Sequence, residues 1–289
     1  MFFNMLKTAV LLIILSGLLL LVGGLIGGVS GIQIALFLSV IMNFITFFFS
    51  DRIVLALYKA QPLDKTHYQW IYEIIEELSH KMQLPMPKLW LVTTPMANAF
   101  ATGRSPKHAS IAVTTGILSL LDAEELRGVL AHELAHIKNR DTLITTIAAT
   151  VASAIGYLAY MLRHMALWGS VSSDRRKENP FALILVSILM PFAATLVQLA
   201  ISRSREYAAD DTGARCSHSP LALASALQKL ENNVKYAHMN ADDMQQTSTA
   251  SLFIVHPFTA HSLSSLFATH PPISKRIARL QQLSKKMFS

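Results

Sequence analysis

Two histidines four residues apart, with a glutamate beside the first, are the residues of this chain best suited to chemistry. They lie in His132-Glu133-Leu134-Ala135-His136. On a helix, positions i and i+4 stand one turn apart on one face, so both imidazoles can reach a single metal ion. Glu133 then sits where it can take a proton from a metal-bound water. This is the H-E-x-x-H arrangement of zinc-assisted peptide hydrolysis. The competing reading is an amphipathic helix that happens to carry two surface histidines.

A catalytic zinc takes three protein ligands and keeps one position for water, so a third ligand is required. Glu206, in Ser202-Arg203-Ser204-Arg205-Glu206-Tyr207-Ala208-Ala209-Asp210, is the best candidate. It follows one long apolar run, while His136 precedes another, and two membrane crossings would return the chain to the same face. Asp210 lies one turn beyond Glu206 and can accept the second ring proton of a zinc-bound histidine. Without a metal, Asp210 reads as a helix-end partner of Arg203 or Arg205. Asp211 points about 100° away around the helix and is a weaker candidate.

The elements that must position these residues follow from composition. Of 289 residues, 52% are hydrophobic and only 15% charged, against about 25% charged in ordinary globular proteins. Four apolar runs, at residues 11–26, 32–50, 143–162 and 181–201, are long enough to cross a hydrocarbon core of about 30 Å as helices. The first lacks an A-x-A cleavage site and is followed almost at once by the second, so it reads as a retained anchor rather than a signal peptide. The expected organisation is a transmembrane hairpin (residues 1–50), a polar block carrying the H-E-x-x-H helix (51–141), a second hairpin (142–201) and a second polar block with the third ligand (202–289).

Ten Lys and Arg residues fall in 51–141 and ten in 202–289, with four in the loop 163–180. By the positive-inside rule both polar blocks face the cytoplasm, although Arg175, Arg176 and Lys177 pull the other way. The net charge of +7 is accounted for by juxtamembrane basic residues near anionic lipid. No aromatic-interleaved basic motif accompanies it, so no nucleic-acid partner is expected. The single Cys216 excludes an intrachain disulfide and reads as an inert thiol.

The first hairpin is expected to turn through Gly23-Gly24-Leu25-Ile26-Gly27-Gly28. Tyr68, Ile71, Ile74, Ile75 and Leu78 recur at helical spacing between Asp64 and Met82, with Pro85 and Pro87 beyond as terminators. Residues 88–92 and 109–114 are β-prone, and residues 98–103 between them read as a turn. Asp122 and Glu125 have capping-box spacing at the start of the histidine helix, whose buried side is Leu126, Val129, Leu130, Leu134 and Ile137. Further helices are expected over 221–233 and 273–283, with a mobile loop at 238–251. The fold class is therefore an α-helical multi-pass membrane protein with a mainly α, small-sheet (α+β) zincin-type cytoplasmic domain.

The histidine motif, the segment Ser202-Arg203 through Glu206 to Asp210, and Ala268-Thr269-His270-Pro271-Pro272 occur in an order that resembles the HtpX family. Those are bacterial membrane-bound zinc endopeptidases related to the CaaX-prenyl proteases among the gluzincins. The resemblance covers nearly the whole chain. It implies one Zn²⁺, bacterial inner-membrane location with the active site facing the cytoplasm, and cleavage of damaged or misfolded membrane proteins in quality control.

The resemblance also gives Asn98 and Ala99 a role in binding substrate by strand addition. It sets His270 and Arg276 near the metal, as oxyanion support or, for His270, as a cap on the zinc. The remaining eight histidines have no partner spacing. The rival readings are an intramembrane protease and a non-catalytic membrane metal-binding or scaffold protein. Against the first, Glu124, Glu125, Arg127, Lys138, Arg140 and Asp141 surround the motif and place it in water. Against the second, a scaffold needs no general base, and Glu133 is present.

Overall fold

The computed structural model describes residues 2–151, 155, 203–236 and 271–288. The expected fourth apolar run, the loop 163–180, the loop 238–251 and His270 lie outside the described residues, as does half of the third run.

Helix α1 (Phe2–Leu57) is bent into two arms at Gly28, whose φ of 57° and ψ of −138° interrupt the helix. This backbone is open to glycine and strained for other residues, which is why the chain reverses there. The arms lie antiparallel: Asn43 Nδ2 donates to Ser16 Oγ at 2.8 Å, and a Cβ at Gly23 would come within 2.6 Å of Ala35 Cβ. The second arm, Gly28–Leu57, has 30 residues, its most apolar stretch averaging a hydropathy of 2.2, and is long and apolar enough to cross a membrane. It is the one such helix among the described residues; the apolar stretches Thr8–Leu21 and Thr142–Val151 are shorter.

Past α1 the chain forms β1 (Gln61–Pro62), α2 (Gln69–Met82), β2 (Lys88–Val92), β3 (Ala99–Thr102), β4 (Ser110–Thr114), α3 (Thr115–Leu120) and α4 (Ala123–Asn139). Helix α5 (Thr142–Val151) follows. After the undescribed stretches come α6 (Arg203–Ser217), α7 (Pro220–Tyr236) and α8 (Ile273–Met287). The sheet order is β1-β2-β4-β3, with β2 and β4 parallel and both outer pairs antiparallel.

Residues 98–103, expected as a turn, are thus largely the edge strand β3. The stretch is short, and its two alanines dilute the strand preference of Phe100 and Thr102. Its pairing with β4 overrides that weak local preference. Helix α2 ends at Gln83, in the left-handed conformation (φ 58°), ahead of the two prolines expected to stop it.

Helix α4 starts on the expected capping box: the Asp122 side chain accepts from the Glu125 amide and the Glu125 side chain accepts from the Asp122 amide. Leu126, Val129, Leu130, Leu134 and Ile137 are all at most 1% exposed, each side chain contributing roughly 1.5–3 kcal/mol by burial. They join one core with Ile71, Ile75 and Leu78 of α2 and Leu223 and Leu227 of α7. The other face of the sheet, through Val92, Phe100 and Ala112, packs on Val54 and Leu55 of α1 and Ala149 of α5.

Candidate active site

The histidine helix is buried where it carries chemistry. His132 and Glu133 are 1% and 5% exposed, which a surface helix would not require. Helix α6 crosses α4 closely because residue 213 is glycine: a Cβ there would meet the His132 amide nitrogen at 2.8 Å and the Ala131 carbonyl carbon at 2.9 Å. That approach carries Glu206 and Asp210, both buried, to the two imidazoles.

His132 Nε2 and His136 Nε2 are 3.2 Å apart. Glu206 Oε1 lies 3.4 Å from His136 Nε2, and Glu206 Oε2 lies 3.7 Å from His132 Nε2. Each of the three side chains thus offers one ligand atom to a cluster spanning at most 4.8 Å. The opposite ring nitrogens face carboxylates. Asp210 Oδ1 is 3.0 Å from His132 Nδ1, within ion-pair reach but off the direction of a ring N–H bond. Asp141 Oδ2 is 3.2 Å from His136 Nδ1. Protons held on the Nδ1 side leave the Nε2 lone pairs directed into the cluster. Two lone pairs and a carboxylate oxygen so close repel one another unless a cation sits among them, so the donor set fits a metal ion.

Arg276, fully buried, donates Nε to Asp210 Oδ2 at 2.8 Å and Nη2 to Asp210 Oδ1 at 2.6 Å. It also lies 3.4 Å from both His132 Nε2 and Glu206 Oε2. Burial alone would raise the Asp210 carboxyl, but Arg276 and His132 outweigh it and hold the group at about 2. At His136 burial lowers the proton affinity, and Asp141, Glu206 and Glu133 together outweigh it, raising the imidazole to about 9. Burial pushes the Glu133 carboxyl up, against the pull of His132 and His136.

Glu133 also meets the sheet. The Ala101 amide donates to Glu133 Oε2 at 2.8 Å, so this N–H points away from β4. Alternation along an antiparallel strand gives Ala99 the same outward orientation. Asn98 is buried, with its carbonyl accepting from the Thr114 amide and its amide donating to Thr114 Oγ1. The backbone of β3 beside Glu133 is therefore an unpaired sheet edge among the described strands.

Six of the residues singled out by sequence converge here: His132, Glu133, His136, Glu206, Asp210 and Arg276. Asn98 and Ala99 lie on the adjoining strand. Asp141 was missed as a site residue. Read as part of a solvated charged flank, it is instead 3% exposed, against His136 and 3.6 Å from Arg205 Nη1. Glu125, placed in the same flank, is likewise buried, bonded to Ser225 and Lys229. The signal that exposes Asp141 is its offset of five from His136. A helix stopped by Arg140 in the left-handed conformation returns the next residue against the preceding turn, and the Asp141 amide donates to the His136 carbonyl. Cys216 is half-buried, and burial pushes its thiol up, which keeps it protonated.

The chain is 46% identical over 290 residues to the protease HtpX homolog of Sulfurihydrogenibium sp., covering 98% of this chain and 97% of that one. It is 49% identical over 280 residues to the homolog of Syntrophobacter fumaroxidans, covering 96% and 98%. For the homolog of Pyrococcus furiosus the figures are 48% over 281 residues, covering 97% and 96%. Among solved structures it is similar to S. mikatae Ste24p, at 18% identity and a TM-score of 0.49, covering 96% of this chain and 66% of that one. Residues 65–284 match the profile of Peptidase family M48, a span that holds every residue of the cluster, and the chain is a metalloprotease belonging to that family.

Proposed function

We propose that this chain is a zinc-dependent endopeptidase of the cell membrane that cleaves damaged or misfolded membrane proteins at the cytoplasmic face. The observation that carries the reading is the meeting of His132, His136 and Glu206, from two distant parts of the chain, beside the buried carboxylate of Glu133. Zinc is the favoured ion on donor type and size. A tetrahedron with bonds of 2.0–2.1 Å has edges of about 3.3–3.4 Å, against donor separations here of 3.2, 3.4 and 3.7 Å.

His132, His136 and Glu206 would hold the ion. When bound, zinc lowers the pKa of its water towards 7 and polarises the scissile carbonyl. Glu133 takes the proton of the attacking water and later returns a proton to the leaving amine. Its raised carboxyl suits both directions of transfer. Asp210 and Asp141 orient the two histidines through Nδ1, and Arg276 neutralises Asp210. Asn98 and Ala99 stand at the edge strand where an extended peptide would add. His270 is assigned to the same site through the family pattern alone.

The membrane arrangement proposed is multi-pass, with hairpins over residues 1–50 and 142–201 and the protease domain divided between 51–141 and 202–289. The bent α1, with antiparallel arms, supports the first hairpin. The scaffold alternative leaves a buried glutamate beside the histidines without a purpose.

The test is zinc content and casein cleavage by purified wild type beside Glu133→Gln. The variant keeps the shape but cannot accept the proton, so cleavage falls at least about 10²-fold while zinc stays bound. Near-wild-type cleavage would sink the mechanism.

A further inference from the structure

The end of β3 is tied to two apolar helices at once. Thr102 Oγ1 and Thr146 Oγ1 share a hydrogen bond of 2.9 Å, and Thr142 Oγ1 donates to the Gly103 carbonyl at 2.9 Å. Both partners belong to the first turns of α5, directly after Asp141, the last charged residue before the uncharged run. On the other side, the Arg104 guanidinium lies 5.3 Å above the Phe48 ring and 3.5 Å from the Phe48 carbonyl. Phe48 stands three residues before Asp51, the first charged residue after the second apolar run. Arg52 lies 5.4 Å above the neighbouring Phe49 ring. Two apolar-to-charged boundaries on separate helices therefore meet at one turn, Gly103-Arg104. Arginines whose stems lie along apolar side chains while their guanidinium groups reach for water are what a boundary between hydrocarbon and water favours.

The same strand touches the catalytic carboxylate. Glu133 accepts from the Ala101 amide, two residues before Gly103, which at about 3.3 Å per residue is roughly 7 Å along the strand. We propose that β3 is a ruler set to the bilayer surface. Its preferred substrate is an extended segment of a membrane-anchored polypeptide, hydrolysed within the first few residues beyond the point where that polypeptide's own span leaves the bilayer. This rests on the reading above, that the chain is a membrane peptidase whose edge strand takes the substrate.

The experiment uses the full-length, zinc-loaded protein in liposomes. The substrate is one membrane-spanning helix followed by five tandem copies of a single casein-derived heptapeptide, so that the copies differ only in distance from the bilayer. A second substrate carries the same five copies without the helix. Cleavage positions are read by mass spectrometry. The expected result is at least tenfold more cutting in the first copy than in the fourth on the anchored substrate, and no such gradient on the soluble one. Equal cutting of all five copies on the anchored substrate overturns the ruler and leaves the peptidase reading intact. Absence of any cleavage in both substrates and in casein overturns the peptidase reading, and the ruler with it.

Discussion

The two halves of the metal cluster are built differently. His132 faces Asp210, which accepts from Nε and Nη2 of the fully buried Arg276 and is itself buried. His136, whose side chain is 16% exposed, faces Asp141, a residue on the connection from α4 to the apolar helix α5. Arg205 Nη1 stands 3.6 Å from Asp141 Oδ1, and Arg205 is offset by one residue from Glu206 on α6. One half is a closed charge lock inside the soluble core. The other is a looser, more exposed pairing where that core meets the apolar helices. The two histidines are therefore unequally held.

That contrast is broken most severely at Arg276. Arg276→Met fills similar volume but strands Asp210 as a buried charge, and removal of one partner of such a pair costs about 3–5 kcal/mol. Chemical denaturation should show a loss of this size; a loss below about 1 kcal/mol would mean that Asp210 finds other support.

Gly213→Ala tests how α6 reaches the His132 half. The added Cβ has backbone atoms of α4 within 3.0 Å, so the helices must part, at about 1–3 kcal/mol. Metal affinity should fall together with thermal stability, and a variant with unchanged affinity would show that the close crossing is not what positions Glu206.

Asp141→Asn probes the looser half. The amide oxygen still accepts from His136 Nδ1, but the charge is lost, so metal affinity should fall by no more than about tenfold, the low end of the usual range for such a partner. A loss as large as that of Asp210→Ala would erase the asymmetry.

The two halves also differ in how they respond to pH once metal has been removed by chelation. Asp210, depressed to about 2 from 3.8, contributes stability that is fully present above pH 3.8 and lost as pH falls towards 2. His136, raised to about 9 from 6.5, contributes stability that is fully present below pH 6.5 and lost as pH rises through 9. Melting temperatures after chelation should therefore decline on both limbs. Asp210→Asn should flatten the acid limb only and His136→Gln the alkaline limb only.

Sequence revealed the half of the site that depends on local periodicity. His132, Glu133 and His136 share a helix whose capping box and buried stripe are readable at fixed spacing, and the bend at Gly28 lies in a visible glycine cluster. Glu206 and Asp210 required a topological step, the return of the chain after two apolar runs. Asp141 escaped because its burial follows from how the helix ends at Arg140, a left-handed non-glycine residue that no pattern announces. β3 escaped because a run of four residues, two of them alanine, becomes a strand only through its pairing with β4. Family resemblance pointed to Asn98 and Ala99 where propensity pointed to a turn.

The most direct test separates ligand from neighbour on α6. Zinc stoichiometry is measured across a chelator titration for wild type, Glu206→Ala and Asp210→Ala. Glu206→Ala should empty the site or leave it labile, because two histidines alone hold zinc weakly. Asp210→Ala should keep all three ligands and lose roughly 10–100-fold in affinity. Complete loss of metal from Asp210→Ala with retention by Glu206→Ala would contradict the assignment and reverse the two roles.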